Sequence, residues 1–252
     1  MKLNKFVATT VSTIAFNVSL FAGVSGVHWG YYGAINPEHW AELDPEFFMC
    51  REGKNQSPVN IEKKNIITTK GLEKINFHYQ TDAKDVLNNG HTIKVDIKDG
   101  SYIKVDGIKF ELKQFHFHTP SENQIDGKNF PLEAHFVHLS KDGELAVVSV
   151  MFDIGKDNDV ISKIWDKVSK KAGIERSCAL SAEAINSLLP ENKRYYRFDG
   201  SLTTPPCSEG VRWFVMQDYG EVSRGQIVEF EKMMHGHDNR PIQPMNARKV
   251  LK

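Results

Sequence analysis

The sequence predicts a mostly β protein that folds as one domain, and three observations support this prediction. Asp-Gly pairs recur between segments of alternating apolar residues, at positions 99, 106, 126 and 142, with a further pair at 199. Such pairs are the strongest short-range signal of a β-hairpin. Helical periodicity is limited to a few short segments, and the 252 residues contain no repeat or low-complexity linker that would divide them. A chain of this length can bury one large core.

The first 26 residues are predicted to lie outside this domain. Two lysines precede residues 6–22, which are mostly apolar or small and carry no charge. This pattern is typical of a secretory signal peptide. Cleavage after Gly26 and cleavage after Ala22 both fit, and so does an uncleaved anchor, although the apolar run is only marginally long enough to span a bilayer. We therefore predict a cleaved signal peptide, residues 1–26, and a domain, residues 27–252.

Charge and cysteine content restrict the partners and the compartment. The chain has 32 basic and 32 acidic side chains, so its net charge recruits neither nucleic acid nor an anionic membrane surface. Export would permit disulfides, and the three cysteines are Cys50, Cys178 and Cys207. Spacing alone does not pair them, and one must be left over. No membrane insertion of the mature chain is expected.

Five segments are predicted to be neighbouring antiparallel strands, because turn signals separate their alternating apolar residues. They are residues 91–97, 102–105, 108–118, 132–139 and 145–152. Helices are few and are expected at the periphery of the sheet. One is predicted over residues 160–171, with Asp159 as its cap and Gly173 at its end. A second, shorter helix follows Ser181, and a third begins at Ser223 with a capping-box pattern.

Three histidines on two of these strands form a candidate metal site. Alternate residues of a strand face the same side, so Gln114, His116 and His118 project together. Glu133 and His135 share a face of the next strand by the same rule. If the two faces coincide, three imidazoles converge and leave one tetrahedral position of a zinc ion open, as in a catalytic site. Cobalt and copper also bind such a set. Gln114 and Glu133 could accept the imidazole N–H groups that point away from the metal.

The other histidines serve as a comparison within the same sequence. His235 and His237 have the same spacing as the candidate ligands, but they follow a helix in a Gly- and Asn-containing segment, where no strand fixes their direction. We expect that segment to be a surface loop. His138 is three residues from His135 and should face away from the metal site. The remaining histidines, His28, His39 and His78, are expected to be structural.

Several motifs together are similar to those of the alpha-class carbonic anhydrases, particularly the secreted bacterial members. The most specific motifs are residues 114–118, 133–138 and 201–206. Others are residues 28–31, 37–40, 55–61, 88–91, 239–241 and 246–248, so the resemblance covers nearly all of the mature chain. It implies a large, mainly antiparallel, twisted sheet of about ten strands with a few peripheral helices, and a zinc ion at the floor of a cone-shaped cleft.

The resemblance also implies an activity and a location. The protein would be a periplasmic zinc enzyme that catalyses the reversible hydration of carbon dioxide to bicarbonate and a proton. Zinc-bound hydroxide would attack carbon dioxide, and His91 would then carry the proton to solvent. Thr203 would accept a hydrogen bond from the hydroxide and donate its own to Glu122. Tyr31, Asn89 and Lys94 would surround the water chain that leads to His91.

The same resemblance assigns a substrate wall and a disulfide. Carbon dioxide would bind beside Val137, Val147, Leu202, Val211 and Trp213, Thr204 would line the cleft, and Thr203 would contact bicarbonate or anionic inhibitors. The bridge would join Cys50 and Cys207, which leaves Cys178 either as an inert buried thiol or as a link between two subunits of a homodimer. Asn123 departs from the family pattern, in which His is common, and so does Lys94.

Two functions of other classes compete with hydration of carbon dioxide. The first is hydrolysis of esters by the same metal centre, which the apolar pocket and the lack of a visible leaving-group acid make secondary. The second is a catalytically silent binding module on the same fold. Such a module loses one or more ligand histidines, whereas this chain retains all three, His116, His118 and His135.

Overall fold

The computed structural model of the chain describes residues 26–252. Apart from Gly26, the predicted signal peptide lies outside these residues and stays a prediction. The strands of the described part are Asn60–Ile61 (β1), Asn76–His78 (β2), Ala83–Asn88 (β3), Ile93–Ile97 (β4), Tyr102–Val105 (β5), Ile108–His118 (β6), Gln124–Ile125 (β7), Leu132–Ser140 (β8), Leu145–Ile154 (β9), Glu175–Ser177 (β10), Tyr195–Ser201 (β11), Glu209–Met216 (β12) and Gly220–Val222 (β13). The helices of the same part are Trp40–Leu43 (α1), Met49–Glu52 (α2), Asp159–Lys167 (α3), Ala182–Ser187 (α4) and Arg224–Met234 (α5).

Within residues 26–252, eleven strands form one large sheet in the order β10-β3-β4-β6-β8-β9-β12-β11, to which β2, β5 and β13 add. The five predicted strands all occur, and the pairs β4–β6, β5–β6, β6–β8 and β8–β9 are antiparallel, as expected. The sheet is nevertheless mixed, because β12 and β13 both run parallel to β9. Parallel pairing requires a long crossover connection. Here the chain between β9 and β12 passes through α3, α4 and two further strands.

The large sheet separates two apolar layers. On one face, Phe115 and Phe117 pack in the main core with residues of α3, α4 and α5, including Trp165 and Phe230. On the other face a smaller cluster contains Trp213 with residues of β8, β9 and β12. The prediction of peripheral helices on a sheet-dominated domain is confirmed. The functional side of the sheet is the one opposite the three helices.

A β-bulge at Lys113 reverses the alternation along β6. Leu112 pairs with His138 and Gln114 pairs with Val137, so two residue steps on β6 match one on β8. Before the bulge, Leu112 points into the main core, as does Phe110 two residues earlier. After it, the odd-numbered residues point into that core instead, and the even-numbered ones face the cleft. Such bulges re-aim side chains next to functional sites.

The helix boundaries differ in part from the sequence prediction. α3 starts one residue earlier than predicted, because Asn158 rather than Asp159 is its N-cap and accepts the N–H groups of Val160 and Ile161. It also ends at Lys167, since Val168 is already extended. The cap of α4 by Ser181 and the capping box of α5 at Ser223 are confirmed. The Asp-Gly pair at 199 makes no turn and lies within β11.

The N-terminal segment is joined to the rest of the domain by a disulfide between Cys50 and Cys207, which confirms the pairing. Both cysteines are buried with Trp29, Trp40 and Phe47 in a third apolar cluster. Cys178 is a free, buried thiol. Across residues 26–252, no helix is both long enough and apolar enough to traverse a membrane.

Candidate metal centre

Three imidazoles meet on the cleft side of the sheet because β6 and β8 are in register. His116 pairs directly with His135, and strand alternation brings His118 to the same side. The ring centroids lie 5.1 Å apart for His116 and His118, 5.3 Å for His116 and His135, and 4.8 Å for His118 and His135. One nitrogen of each ring lies within 4.8 Å of the other two. The predicted convergence of the three side chains is confirmed.

An oxygen atom lies against the outward nitrogen of each imidazole. The distances are 2.8 Å from His116 Nδ1 to Gln114 Oε1, 2.8 Å from His118 Nδ1 to the carbonyl oxygen of Asp238, and 2.9 Å from His135 Nε2 to Glu133 Oε1. An oxygen acceptor there favours a proton on the outward nitrogen, which leaves the lone pair of the inward one free. The inward nitrogens are therefore Nε2 of His116 and His118 and Nδ1 of His135.

Glu133 is itself held by a dense set of donors. Its Oε1 accepts hydrogen bonds from Ser149 Oγ at 2.5 Å and Asn123 Nδ2 at 2.8 Å. Its Oε2 accepts the backbone N–H groups of Glu122 at 2.7 Å and Asn123 at 2.9 Å. Burial opposes ionisation, but the charge of His135 and these hydrogen bonds outweigh it and lower the pKa of Glu133 to about 2. Asn123, a departure from the family pattern, thus supports the carboxylate behind His135.

The donor set fits a zinc ion. Within residues 26–252, the buried Nε2 of His118 has no hydrogen-bond partner. Burial lowers the pKa of His118 to about 4, and burial with the charges of His118, His135 and Lys94 lowers the pKa of His116 well below its usual value. Neutral imidazoles are the form that binds a metal. Three nitrogen ligands leave one tetrahedral position open, which is the arrangement of catalytic rather than structural zinc.

Glu122 is completely buried beside the ligands. Its Oε1 accepts the backbone N–H of Arg240 at 2.9 Å, while its Oε2 lies 3.5 Å from His118 Nε2 and 3.9 Å from His135 Nδ1. Burial raises the pKa of Glu122 to about 7. The charge of His135, the Arg240 N–H and the hydroxyl of Thr203 act in the opposite direction. Thr203 therefore lies close enough to Glu122 to influence its ionisation.

His91 lies on the wall of the cleft, where its ring stacks on Trp29 with centroids 3.7 Å apart and an interplanar angle of 9°. Burial, followed by the neighbouring His28, lowers the pKa of His91 to about 4. The side chain of Asn89 accepts the backbone N–H of His91 at 2.9 Å and so fixes the turn that carries it. Lys94 forms an ion pair with Asp96 at 2.8 Å.

Most of the predicted substrate and proton-pathway residues line one cleft with the three histidines. They are Tyr31, Asn89, His91, Lys94, Val137, Val147, Leu202, Thr203, Thr204 and Trp213. Val211 does not line the cleft and is fully buried in the same apolar cluster as Trp213. Its contact with substrate stays a prediction.

Sequence reasoning missed several residues that contact the site. His235 and His237 are exposed, as expected of a surface loop, but Asp238 in the same loop is buried against His118. A loop has no periodicity from which its inward residues could be read. Trp29 is the stacking partner of His91, and Ser149 could have been identified by alternation along β9, since it follows Val147 on the cleft side.

The hydroxyl of Tyr31 is a second buried polar group of the cleft. Its hydroxyl has no hydrogen-bond partner within the described part of the chain. Burial raises the pKa of Tyr31 well above its usual value, and the carboxylates of Glu122 and Asp238 raise it further. The phenol therefore stays protonated near neutral pH and can donate a hydrogen bond.

Comparison with known proteins identifies the family. The family model described as eukaryotic-type carbonic anhydrase matches residues 35–252. A carbonic anhydrase of Neisseria gonorrhoeae is 46% identical over 227 residues, which cover 89% of this chain and 87% of that protein. A carbonic anhydrase of Pectobacterium carotovorum is 42% identical over 95% of both chains.

Solved structures give the same result. The alpha-carbonic anhydrase of Thermovibrio ammonificans, in complex with the inhibitor sulfanilamide, superposes with a TM-score of 0.86 at 51% identity. The match covers 90% of this chain and 100% of that one. These similarities extend over the whole sheet and over the segments that carry the three imidazoles. The chain therefore belongs to the alpha-class carbonic anhydrases, a family of zinc enzymes.

Proposed function

We propose that this carbonic anhydrase hydrates carbon dioxide reversibly to bicarbonate and a proton at a zinc ion held by His116, His118 and His135. The observation that carries the proposal is the convergence of three imidazoles, two buried and that of His116 half-buried, each with its outward nitrogen against a protein oxygen, at the floor of a partly apolar cleft. When bound there, zinc lowers the pKa of a coordinated water and so supplies a nucleophile near neutral pH.

The side chains around the centre then have distinct roles. Thr203 accepts a hydrogen bond from the nucleophile and directs its own hydroxyl proton to Glu122, which fixes the orientation of the attacking lone pair. This role is supported by the influence of Thr203 on the pKa of Glu122. The Arg240 N–H bond leaves the other carboxylate oxygen of Glu122 for Thr203.

Substrate selection follows from the walls of the cleft. Carbon dioxide is small and has no net charge, so a dry apolar surface beside the nucleophile suits it better than a charged anchor. Val137, Val147, Leu202 and Trp213 provide such a surface, Thr204 lines the cleft, and Thr203 contacts bicarbonate. Val211 lies in the same apolar cluster as Trp213.

A proton must leave the cleft in each cycle. His91 accepts it through ordered water and passes it to buffer, and Tyr31, Asn89 and Lys94 border the route. Burial keeps the imidazole neutral at pH 7, so it can take up a proton, but a pKa of about 4 makes that uptake uphill from a donor that titrates near neutrality.

The protein acts outside the cytoplasm in this proposal, after export and removal of residues 1–26. The Cys50–Cys207 disulfide supports an oxidising compartment such as the periplasm. The signal-like composition of residues 1–26 supports the same location.

Stopped-flow hydration of carbon dioxide by the purified mature protein tests the proposal. We expect rapid hydration by the wild type, loss of at least about 100-fold in His118→Ala, and recovery when a zinc-free wild-type sample is reloaded with zinc. His237→Ala is the matched control, because this histidine is exposed and lies in the loop that also contains Asp238. A folded, zinc-loaded wild type without hydration activity would refute the proposal and favour a silent binding module.

A further inference from the structure

The loop after α5 is attached to the metal-binding strand by a single buried residue. Asp238 contacts the last residue of β6 and the first residue after it: its carbonyl oxygen faces His118 Nδ1 at 2.8 Å, and its Oδ1 accepts the backbone N–H of Thr119 at 2.6 Å. Its own N–H donates to the carbonyl oxygen of Thr119 at 3.1 Å. Only 1% of Asp238 is exposed. Three polar contacts thus join one loop residue to two consecutive residues.

The backbone conformation of the loop restricts the position of Asp238. His235 ends α5 in the left-handed conformation, and Gly236 follows with φ +134°, which side-chain-bearing residues rarely adopt. A Cβ on Gly236 would collide with the hydroxyl of Tyr32, which also accepts the backbone N–H of His237 at 2.5 Å. The loop is therefore fixed from outside by Tyr32 and from inside by Asp238.

We propose that the Asp238 side chain is a positioning residue for the metal centre: by accepting the Thr119 N–H, it holds its own carbonyl against His118 Nδ1 and so keeps His118 Nε2 directed at the metal. This inference rests on the proposed zinc site. Groups that orient a metal-binding histidine from behind typically change metal affinity by about 10- to 100-fold when they are removed. The relevant property of Asp238 is an acceptor oxygen at the Oδ1 position.

The geometry indicates that this role depends on an acceptor oxygen and not on the negative charge of the carboxylate. The second carboxylate oxygen, Oδ2, lies 3.7 Å from His118 Nδ1, beyond hydrogen-bond distance, and has no partner within residues 26–252. Asn at this position retains Oδ1 and the backbone carbonyl and removes only the oxygen that makes no bond. Ala removes the acceptor and leaves the buried N–H of Thr119 unpaired.

The test is the rate at which zinc leaves the zinc-loaded protein when an excess of chelator is added. We expect Asp238→Ala to release zinc at least about 10-fold faster than the wild type, and Asp238→Asn to stay within about 2-fold. His237→Ala, in the same loop but exposed, should release zinc at the wild-type rate. In nitrogen-15 spectra of the zinc-loaded protein, the Nδ1–H proton of His118 should exchange with water faster in Asp238→Ala than in Asp238→Asn.

A further variant covers the case in which Asp238→Ala does not fold. Gly236→Ala removes no atom of Asp238, but its Cβ collides with Tyr32 and its φ of +134° strains the loop, so the loop shifts and zinc release should also accelerate. Wild-type retention of zinc by Asp238→Ala or Gly236→Ala would overturn the inference, as would release from Asp238→Asn as fast as from Asp238→Ala. A wild type that takes up no zinc would overturn the proposed function as well.

Discussion

His91 stacks on Trp29 at the wall of the cleft, and burial lowers its pKa to about 4. We expect His91→Ala to reduce kcat by about 10-fold or more in dilute buffer, because proton transfer to solvent loses its relay. The ratio kcat/KM should stay unchanged, since attack on carbon dioxide does not use this side chain. Stopped-flow measurements at several buffer concentrations give both quantities.

Added imidazole provides the control for this residue. It should restore kcat in His91→Ala by accepting the proton directly, and it should have little effect on the wild type. His39→Ala is a matched variant, because His39 is exposed at the N-cap of α1 and pairs with Glu42 away from the cleft. An unchanged kcat for His91→Ala in dilute buffer would show that another route carries the proton.

At the residue scale, the ligands could be predicted because strand alternation is uninterrupted from Gln114 to His118, beyond the bulge at Lys113. Gln114, His116 and His118 follow this alternation on one strand, and Glu133 and His135 follow it on the next. The residue pattern alone therefore predicted which of these side chains share a side of the sheet. Asp238 could not be predicted in this way. Its position depends on the path of a loop, which is set by tertiary contacts with Tyr32 and Thr119 rather than by a local period.

At the scale of elements, Gln226 joins α3 to α5. Its side-chain oxygen accepts the N–H groups of Asn158 and Ser223, and its side-chain nitrogen donates to Asn158 O and Ser162 Oγ, at distances between 2.8 and 3.1 Å. We expect Gln226→Ala to lower the free energy of unfolding by about 1–3 kcal/mol, because half-buried partners at both helix starts lose their hydrogen bonds. Urea unfolding of the zinc-loaded protein measures this change.

Val228→Ala is the matched control for Gln226→Ala. Val228 lies two residues further along α5 but is 46% exposed, so its truncation should change the free energy of unfolding by no more than about 0.5 kcal/mol. Equal free energies of unfolding for the two variants would mean that the hydrogen bonds between Gln226 and the start of α3 do not stabilise the protein.

The elements show where sequence patterns are sufficient and where they are not. The strands of residues 91–154 and the cap at Ser223 follow from alternation, turn residues and capping chemistry. The start of α3 was misjudged by one residue because Asn158 and Asp159 are both good caps. The capping box predicted only the contact within α5, whereas Gln226 also bonds to α3 through tertiary packing.

At the scale of the whole molecule, the Cys50–Cys207 disulfide closes a loop of 157 residues. The chain-entropy model gives up to about 5 kcal/mol of stabilisation for a loop of this length. The backbone carbonyls of the two cysteines also accept hydrogen bonds from Arg240 and Gln56. We therefore expect reduction by dithiothreitol to lower the melting temperature, as measured by differential scanning calorimetry.

Cys178 permits a control for the disulfide. Because this thiol is buried and unpaired, Cys178→Ser should show the same drop on reduction as the wild type. Cys50→Ser/Cys207→Ser should melt at the lower temperature with or without reductant. A melting curve of the wild type that does not respond to dithiothreitol would contradict the expected contribution of the bridge. A non-reducing gel with monomer alone would exclude a Cys178 link between subunits.

The overall architecture was predicted only in part from the pattern of residues. Hairpin signals gave the antiparallel centre of the sheet, and the family resemblance gave its approximate size. The parallel pairs of β9 with β12 and β13 join segments separated by two helices. No local signal specifies such a pairing, because it is decided by how the long connection packs back onto the sheet.

The bulge at Lys113 has a consequence for the gene. Deleting this one codon would keep the reading frame and remove only a lysine that pairs with Glu111 and Asp99. Without the extra residue, Leu112 would directly precede Gln114, and uninterrupted alternation would keep Phe110 and Leu112 on the core side and His116 and His118 on the cleft side. Deletion of Phe115, where the pairing with β8 has no extra residue, would instead turn His116 and His118 toward the core. We therefore expect an in-frame deletion to be tolerated far better at the codon of Lys113 than at that of Phe115.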